Sequence, residues 1–145
     1  MGDGWSGLIV DANVVVHGYT NPTAPKIREQ ITIWLTSQVI FHVPSLWRFE
    51  VTNAIYRGMK AGAIDHDDGR FALDMILALP IEYHDEPELH ADATAIALRL
   101  NAGAAYDAHY LALAERLGLP FYTADAKLHG PASKLFPNIE LVPVE

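Results

Sequence analysis

The chain has 145 residues, 50% of them hydrophobic, a formal net charge of −8 and no cysteine. That length suits a single domain over residues 1–145 with a real core, and the lack of cysteine excludes disulfides and thiolate metal sites and fits an intracellular setting. The acidity argues against a basic nucleic-acid footprint, unless acids are gathered as metal ligands: setting four ligand carboxylates aside halves −8 to −4, which two divalent cations would neutralise.

From the N-terminus, Met1 to Gly7 holds Asp3 and no basic residue, so no secretory leader is expected. The longest apolar runs fall far short of a membrane span, and the expected location is the cytoplasm. Leu8-Ile9-Val10 is a continuous apolar run that predicts a buried strand ending at Asp11. Pro25 to Ser37 has a helical pattern, and Val39 to Val43 predicts a second strand. Ser45 is the expected N-cap of a helix running to about Lys60. Asp65 to Asp68 start a further helix through Leu79, followed by a short strand at Ile81-Glu82-Tyr83. Pro87 suits a first helical position, and that helix runs to about Leu100 before Asn101-Ala102-Gly103 breaks it. Ala105 to Leu117 predicts a strong helix, stopped by Gly118 and Pro120. Phe121-Tyr122-Thr123 predicts a strand that ends at Asp125, and Ile139 to Val142 the last one. Strands alternating with helices imply a three-layer α/β sandwich around a parallel sheet. Such sheets bind ligands beyond the carboxyl ends of their strands, where Asp11 and Asp125 fall.

Each acid has an ordinary reading beside the functional one. Asp11 can cap the turn that follows it, and Asp125 can cap a short helix starting at Ala126. Asp107 says more. At 100° per residue, Tyr106, Tyr110, Leu111, Leu113, Ala114 and Leu117 form an apolar face that contains Asp107, with His109 and Arg116 opposite. A carboxylate on a buried face needs a partner, and a cation explains it better than the modest dipole of the first helical turn. Glu50 lies only at the edge of the stripe Trp47, Val51, Ala54, Ile55 and Met59, next to Asn53 and Arg57, so geometry alone leaves it a solvated flank. Trp47 is a core residue by the same pattern. An all-oxygen donor set without cysteine or paired histidines points to Mg²⁺ or Mn²⁺ and away from zinc.

Four segments carry a resemblance. Leu8-Ile9-Val10-Asp11-Ala12-Asn13, Pro44 to Ala54 around Glu50, Tyr106-Asp107-Ala108-His109-Tyr110 and Thr123-Ala124-Asp125-Ala126, in that order and spacing, resemble the PIN-domain ribonucleases, and more narrowly the VapC-type toxins of bacterial toxin–antitoxin pairs. The resemblance implies a PIN-like three-layer fold, Mg²⁺- or Mn²⁺-dependent endoribonuclease activity on RNA, a cognate antitoxin that occludes the site, and commonly a homodimer. It implies that Asp11, Glu50, Asp107 and Asp125 are the acidic site positions, and that Asn13 and Thr123 are polar residues flanking them. Arg48, Arg57, Lys60, Lys127 and Lys134 are candidate phosphate contacts, and the seven histidines show no ligand spacing. Three other readings stay open. One is a PIN-like nuclease acting on other nucleic acid outside a toxin–antitoxin pair. Another is a binding module whose acids are only caps. The third is a phosphatase with Asp11 as nucleophile, although that chemistry wants a second Asp where Asn13 stands.

Overall fold

The computed structural model describes residues 5–23 and 25–143. The leader expectation for Met1 to Gly7 therefore falls largely outside the described residues. The element order is β1 (Gly7–Val10), α1 (Ala12–Thr20), α2 (Pro25–Thr36), β2 (Ile40–Pro44), α3 (Trp47–Lys60), α4 (His66–Leu77), β3 (Ile81–His84), α5 (Pro87–Arg99), α6 (Ala108–Leu117), β4 (Phe121–Thr123), α7 (Ala126–Ala132) and β5 (Ile139–Leu141). The strands form one sheet in the order β3-β2-β1-β4-β5, and every pairing is parallel. The chain steps from β1 to β2 to β3 on one side and then returns to β4 and β5 on the other. Right-handed crossovers therefore place α1 to α4 on one face and α5 to α7 on the opposite face. The packing agrees: α1 meets α2, α3 and α4, while α6 lies on β1, β2 and β4. This is the expected three-layer α/β sandwich.

Burial on both faces explains why β1 reads as unbroken aliphatic sequence. Leu8, Ile9 and Val10 are all buried. On the α6 face, the Tyr110 ring stacks on Phe121 with centroids 5.2 Å apart. On the opposite face, Trp34 meets Phe41 edge-on and tilts against Tyr122. Among the described residues, no helix is long and apolar enough to cross a membrane.

Some boundaries differ from the pattern. A helix, α1, follows Asp11 directly, in a segment for which periodicity gives no element. Ser45 does not cap α3. Leu46 holds the cap position in helical conformation with no side-chain cap bond, and the Ser45 N–H instead donates to the His84 carbonyl, tying the exit of β2 to β3. An N-cap requires extended backbone, and this strand-end pairing turns the chain before it can adopt one. The helix α4 ends at Leu77, where Leu79 N–H closes onto the Ile76 carbonyl ahead of Pro80. The helix α6 starts at Ala108 and not at Ala105, so Tyr106 sits in the preceding turn and is 69% exposed, off the apolar face assigned to it. Other signals act as read. Asp65 accepts from Asp67 N–H at the start of α4, Pro87 opens α5, and Gly118 ends α6 with φ 65°.

Candidate active site

The strand order reverses at β1, whose neighbours β2 and β4 are reached by crossovers on opposite faces. A crevice opens beyond the carboxyl ends of strands at such a point. Asp11 follows β1 there and Asp125 follows β4. The register pairs Val10 with Tyr122, so Asp11 stands level with Thr123. The Thr123 hydroxyl, fully buried, donates to Asp11 Oδ2 at 2.8 Å. The Thr123 hydroxyl oxygen in turn accepts the Asp125 backbone N–H at 3.0 Å. One hydroxyl thus positions both strand-end acids. Asn13 supplies a second tie, its Oδ1 accepting the Ala124 N–H at 3.1 Å.

The other two acids arrive from opposite layers. Glu50 is in the first turn of α3, held by Trp47, which is fully buried and donates its indole N–H to the Val10 carbonyl at 3.1 Å. Asp107 immediately precedes α6 with no capping bond of its own. Asp11, Glu50, Asp107 and Asp125 line one basin of about 240 Å³, together with Asn13, Asn53 and Arg57. All four predicted site acids therefore line the same basin, including Glu50, which helical geometry alone left as a surface flank. Asp125 also caps α7 by accepting the Lys127 N–H at 2.9 Å, and Asp11 accepts the Asn13 N–H at 3.5 Å. The capping roles and the shared basin coexist.

The electrostatics are those of acids short of positive charge. Asp11 is 6% exposed, and burial pushes its carboxyl from an ordinary 3.8 up to about 7. The Thr123 hydrogen bond opposes the rise, while the charges of Asp107 and Glu50 add to it. Burial also raises Glu50, opposed by a hydrogen bond from Tyr110 and reinforced by Asp107. Asp107 is raised by burial and then by Asp125. Among the described residues, none of the side-chain ion pairs includes any of these four acids. Nor does any group of three or more potential ligands stand close enough to grip a common ion. Close carboxylates cannot all ionise without a counter-charge. The donor set is all oxygen and comes from four strand or helix ends, those of β1, α3, α6 and β4, which suits a hard divalent cation that keeps part of its water shell.

Tyr110 is a residue the sequence pattern placed only in the apolar face of α6. It is fully buried, and its hydroxyl donates to Glu50 Oε1 at 2.5 Å. The signal was a tyrosine where the stripe needs only a ring, one helical turn after Asp107. Of the predicted phosphate contacts, Arg57 lines the basin. Arg48 stacks over Tyr83, Lys60 lies over Tyr56, and Lys127 and Lys134 are exposed. The histidines do pair in space, His42 with His84 and His90 with His109, both at 3.0 Å and outside the basin. Separations of 42 and 19 residues hid these pairs from any spacing rule.

A parallel α/β sandwich with four carboxylates gathered at its switch point defines a narrow structural class. Residues 8–133 match the PIN domain, and the chain belongs to that family. It is 29% identical over 124 residues to Ribonuclease VapC3 of Pyrobaculum aerophilum, covering 83% of this chain and 91% of that protein. Two solved structures share the fold. One is VapBC2 from Rickettsia felis bound to a DNA fragment from its promoter, with a TM-score of 0.66 and 14% identity over 94% of this chain and 98% of that one. The other is PAE2754 from Pyrobaculum aerophilum, with a TM-score of 0.64 and 20% identity over 86% of this chain and 84% of that one.

Proposed function

We propose that this chain is a metal-dependent endoribonuclease acting in the cytoplasm as the toxin of a toxin–antitoxin pair. The observation that carries this reading is the basin itself: four carboxylates from three layers, one of them buried and raised to about 7, beside an arginine. The family membership and the likeness to Ribonuclease VapC3 support it. Asp11 and Asp107 would hold Mg²⁺ or Mn²⁺, with Glu50 and Asp125 completing the set directly or through water. The bound cation supplies a Lewis acid that lowers the pKa of water and offsets charge on the phosphate.

The chain's own groups do the rest. Thr123 fixes the rotamer of Asp11 and the position of Asp125. Tyr110 fixes Glu50 from below. Arg57, which lines the basin, would meet a phosphate oxygen. The walls of the crevice limit water around Asp11, which strengthens every charge interaction made there. An antitoxin would silence the site by placing a basic side chain among the carboxylates, since a bidentate guanidinium can stand in for a metal. A homodimer is the expected assembly of the toxin.

The test uses inhibitor-free protein. It should cleave single-stranded RNA in Mg²⁺ or Mn²⁺ and stop in EDTA, whereas Asp11→Asn and Asp107→Asn should stay folded and lose most activity. Full activity in either variant refutes the assignment, and faster cleavage of DNA than RNA redirects it to another nucleic acid.

A further inference from the structure

A second, larger hollow opens beside the acidic basin. It has a volume of about 600 Å³ and shares Glu50, Asn53 and Asp107 with the basin, so the two are one continuous crevice. Two aromatic rings stand in it. Phe49 is 78% exposed and Tyr106 is 69% exposed. Each immediately precedes one of the site carboxylates, Phe49 before Glu50 on α3 and Tyr106 before Asp107 ahead of α6. Large rings held in water beside a polar site forgo the stabilisation of burial, and exposed apolar groups next to a polar site mark recognition surfaces.

The charge distribution separates the two parts of the crevice. Arg57 is on the basin side. Among the described residues, those lining the larger hollow include no Lys, Arg or His. A run of phosphates has nothing to pair with there, but uncharged, flat groups do. Ala102, Gly103 and Ala104 also line the hollow, and a Cβ added at Gly103 would meet nothing within 4 Å. Asn53 lies where the two parts join, and its amide can both donate to and accept from a base edge.

We propose that Phe49 and Tyr106 are stacking platforms for the nucleobases flanking the cleaved phosphate. This rests on the nuclease reading and deepens it. Every base presents a π-face, so aromatic stacking binds unpaired nucleotides with little sequence preference. In a duplex those faces are covered by neighbouring bases. The acids and Arg57 handle the phosphate, and the apolar hollow takes the bases on either side.

The test is steady-state cleavage of a single-stranded RNA oligonucleotide in Mn²⁺ by wild type, Phe49→Ala, Tyr106→Ala, and the ring-retaining Phe49→Trp and Tyr106→Phe. Each alanine variant should raise KM on the order of tenfold with a smaller change in kcat, and the ring-retaining variants should restore it. Substrates with abasic nucleotides flanking the cut should show a similar penalty with wild type. The alanine variant facing the missing base should add no further loss. Wild-type cleavage with unchanged KM in both alanine variants overturns this inference alone. So do abasic penalties that persist in full in those variants. A wild type that cleaves no RNA removes the nuclease reading and this inference together.

Discussion

Replacing Asp11 by Asn tests the crowded acids without needing a substrate. Asn keeps the shape and leaves an acceptor for the Thr123 hydroxyl, but it removes the ionisable group. In the wild type the folded-state value of about 7 lies above the ordinary 3.8. Between those limits the folded protein binds one proton that the unfolded chain does not. Stability therefore falls as pH rises through this window. At 1.36 kcal/mol per unit, the full rise is worth at most about 4 kcal/mol. Glu50 and Asp107 are raised too and steepen the loss. Thermal or urea unfolding in EDTA from pH 4.5 to 8.5 reads the effect. Near pH 4.5 the two proteins should be close in stability. At pH 8.5 Asp11→Asn should be the more stable, by as much as about 10 °C in Tm. Mg²⁺ or Mn²⁺ should reverse the order, because wild type gains about 2.7 kcal/mol at a hundred times Kd and the variant gains little. Parallel pH profiles in EDTA, together with no gain from either metal, would refute the claim that these acids form one site.

Two further substitutions probe what holds the acids in place. Tyr110→Phe removes the donor to Glu50 and with it the bond that holds Glu50's pKa down. It should cost about 1 kcal/mol of stability, raise the pH at which cleavage reaches half-maximum, and lower the rate at pH 7; an unchanged pH–rate profile would count against a positioning role. Trp47→Phe keeps a ring in the core but leaves the buried Val10 carbonyl without its indole donor. The expected loss is about 1–3 kcal/mol by chemical denaturation, and a loss of a few tenths would mean that water or a neighbour replaces the bond.

Much of the fold was legible because its signals are local. Aliphatic runs marked the strands, and Asp65, Pro87 and Gly118 marked helix ends through their own backbone chemistry. The helix α1 escaped for a physical reason. Ala12, Val14, Val15, Val16 and Gly18 are all buried, so no polar face gives the sequence a helical period, and three consecutive valines disfavour a helix on intrinsic grounds. Tertiary packing overrides that preference. Ser45 misled because the cap rule weighs residue type and cannot see that β3 draws the Ser45 N–H away.

The site divides along the same line. Asp11 and Asp125 were visible because strand ends at a switch point are where a crevice must open. Asp107 was visible because a carboxylate on an apolar face violates the pattern around it. Glu50 violates nothing: it sits at the margin of its helix, and only the packing of α3 against the end of β1 turns it inward. Its place in the site came from the family resemblance and not from periodicity. The same logic explains why ordinary and functional readings of these acids were hard to separate. A carboxylate that caps α7, as Asp125 does, must sit at the start of a helix that follows a strand. In a parallel sheet that is also the rim of the crevice, so the residue that finishes the fold locally is already one of those that face the ligand. The gathering of acids at this rim follows from the architecture, and the burial of Asp11 among them raises its carboxyl into the range where pH acts on it.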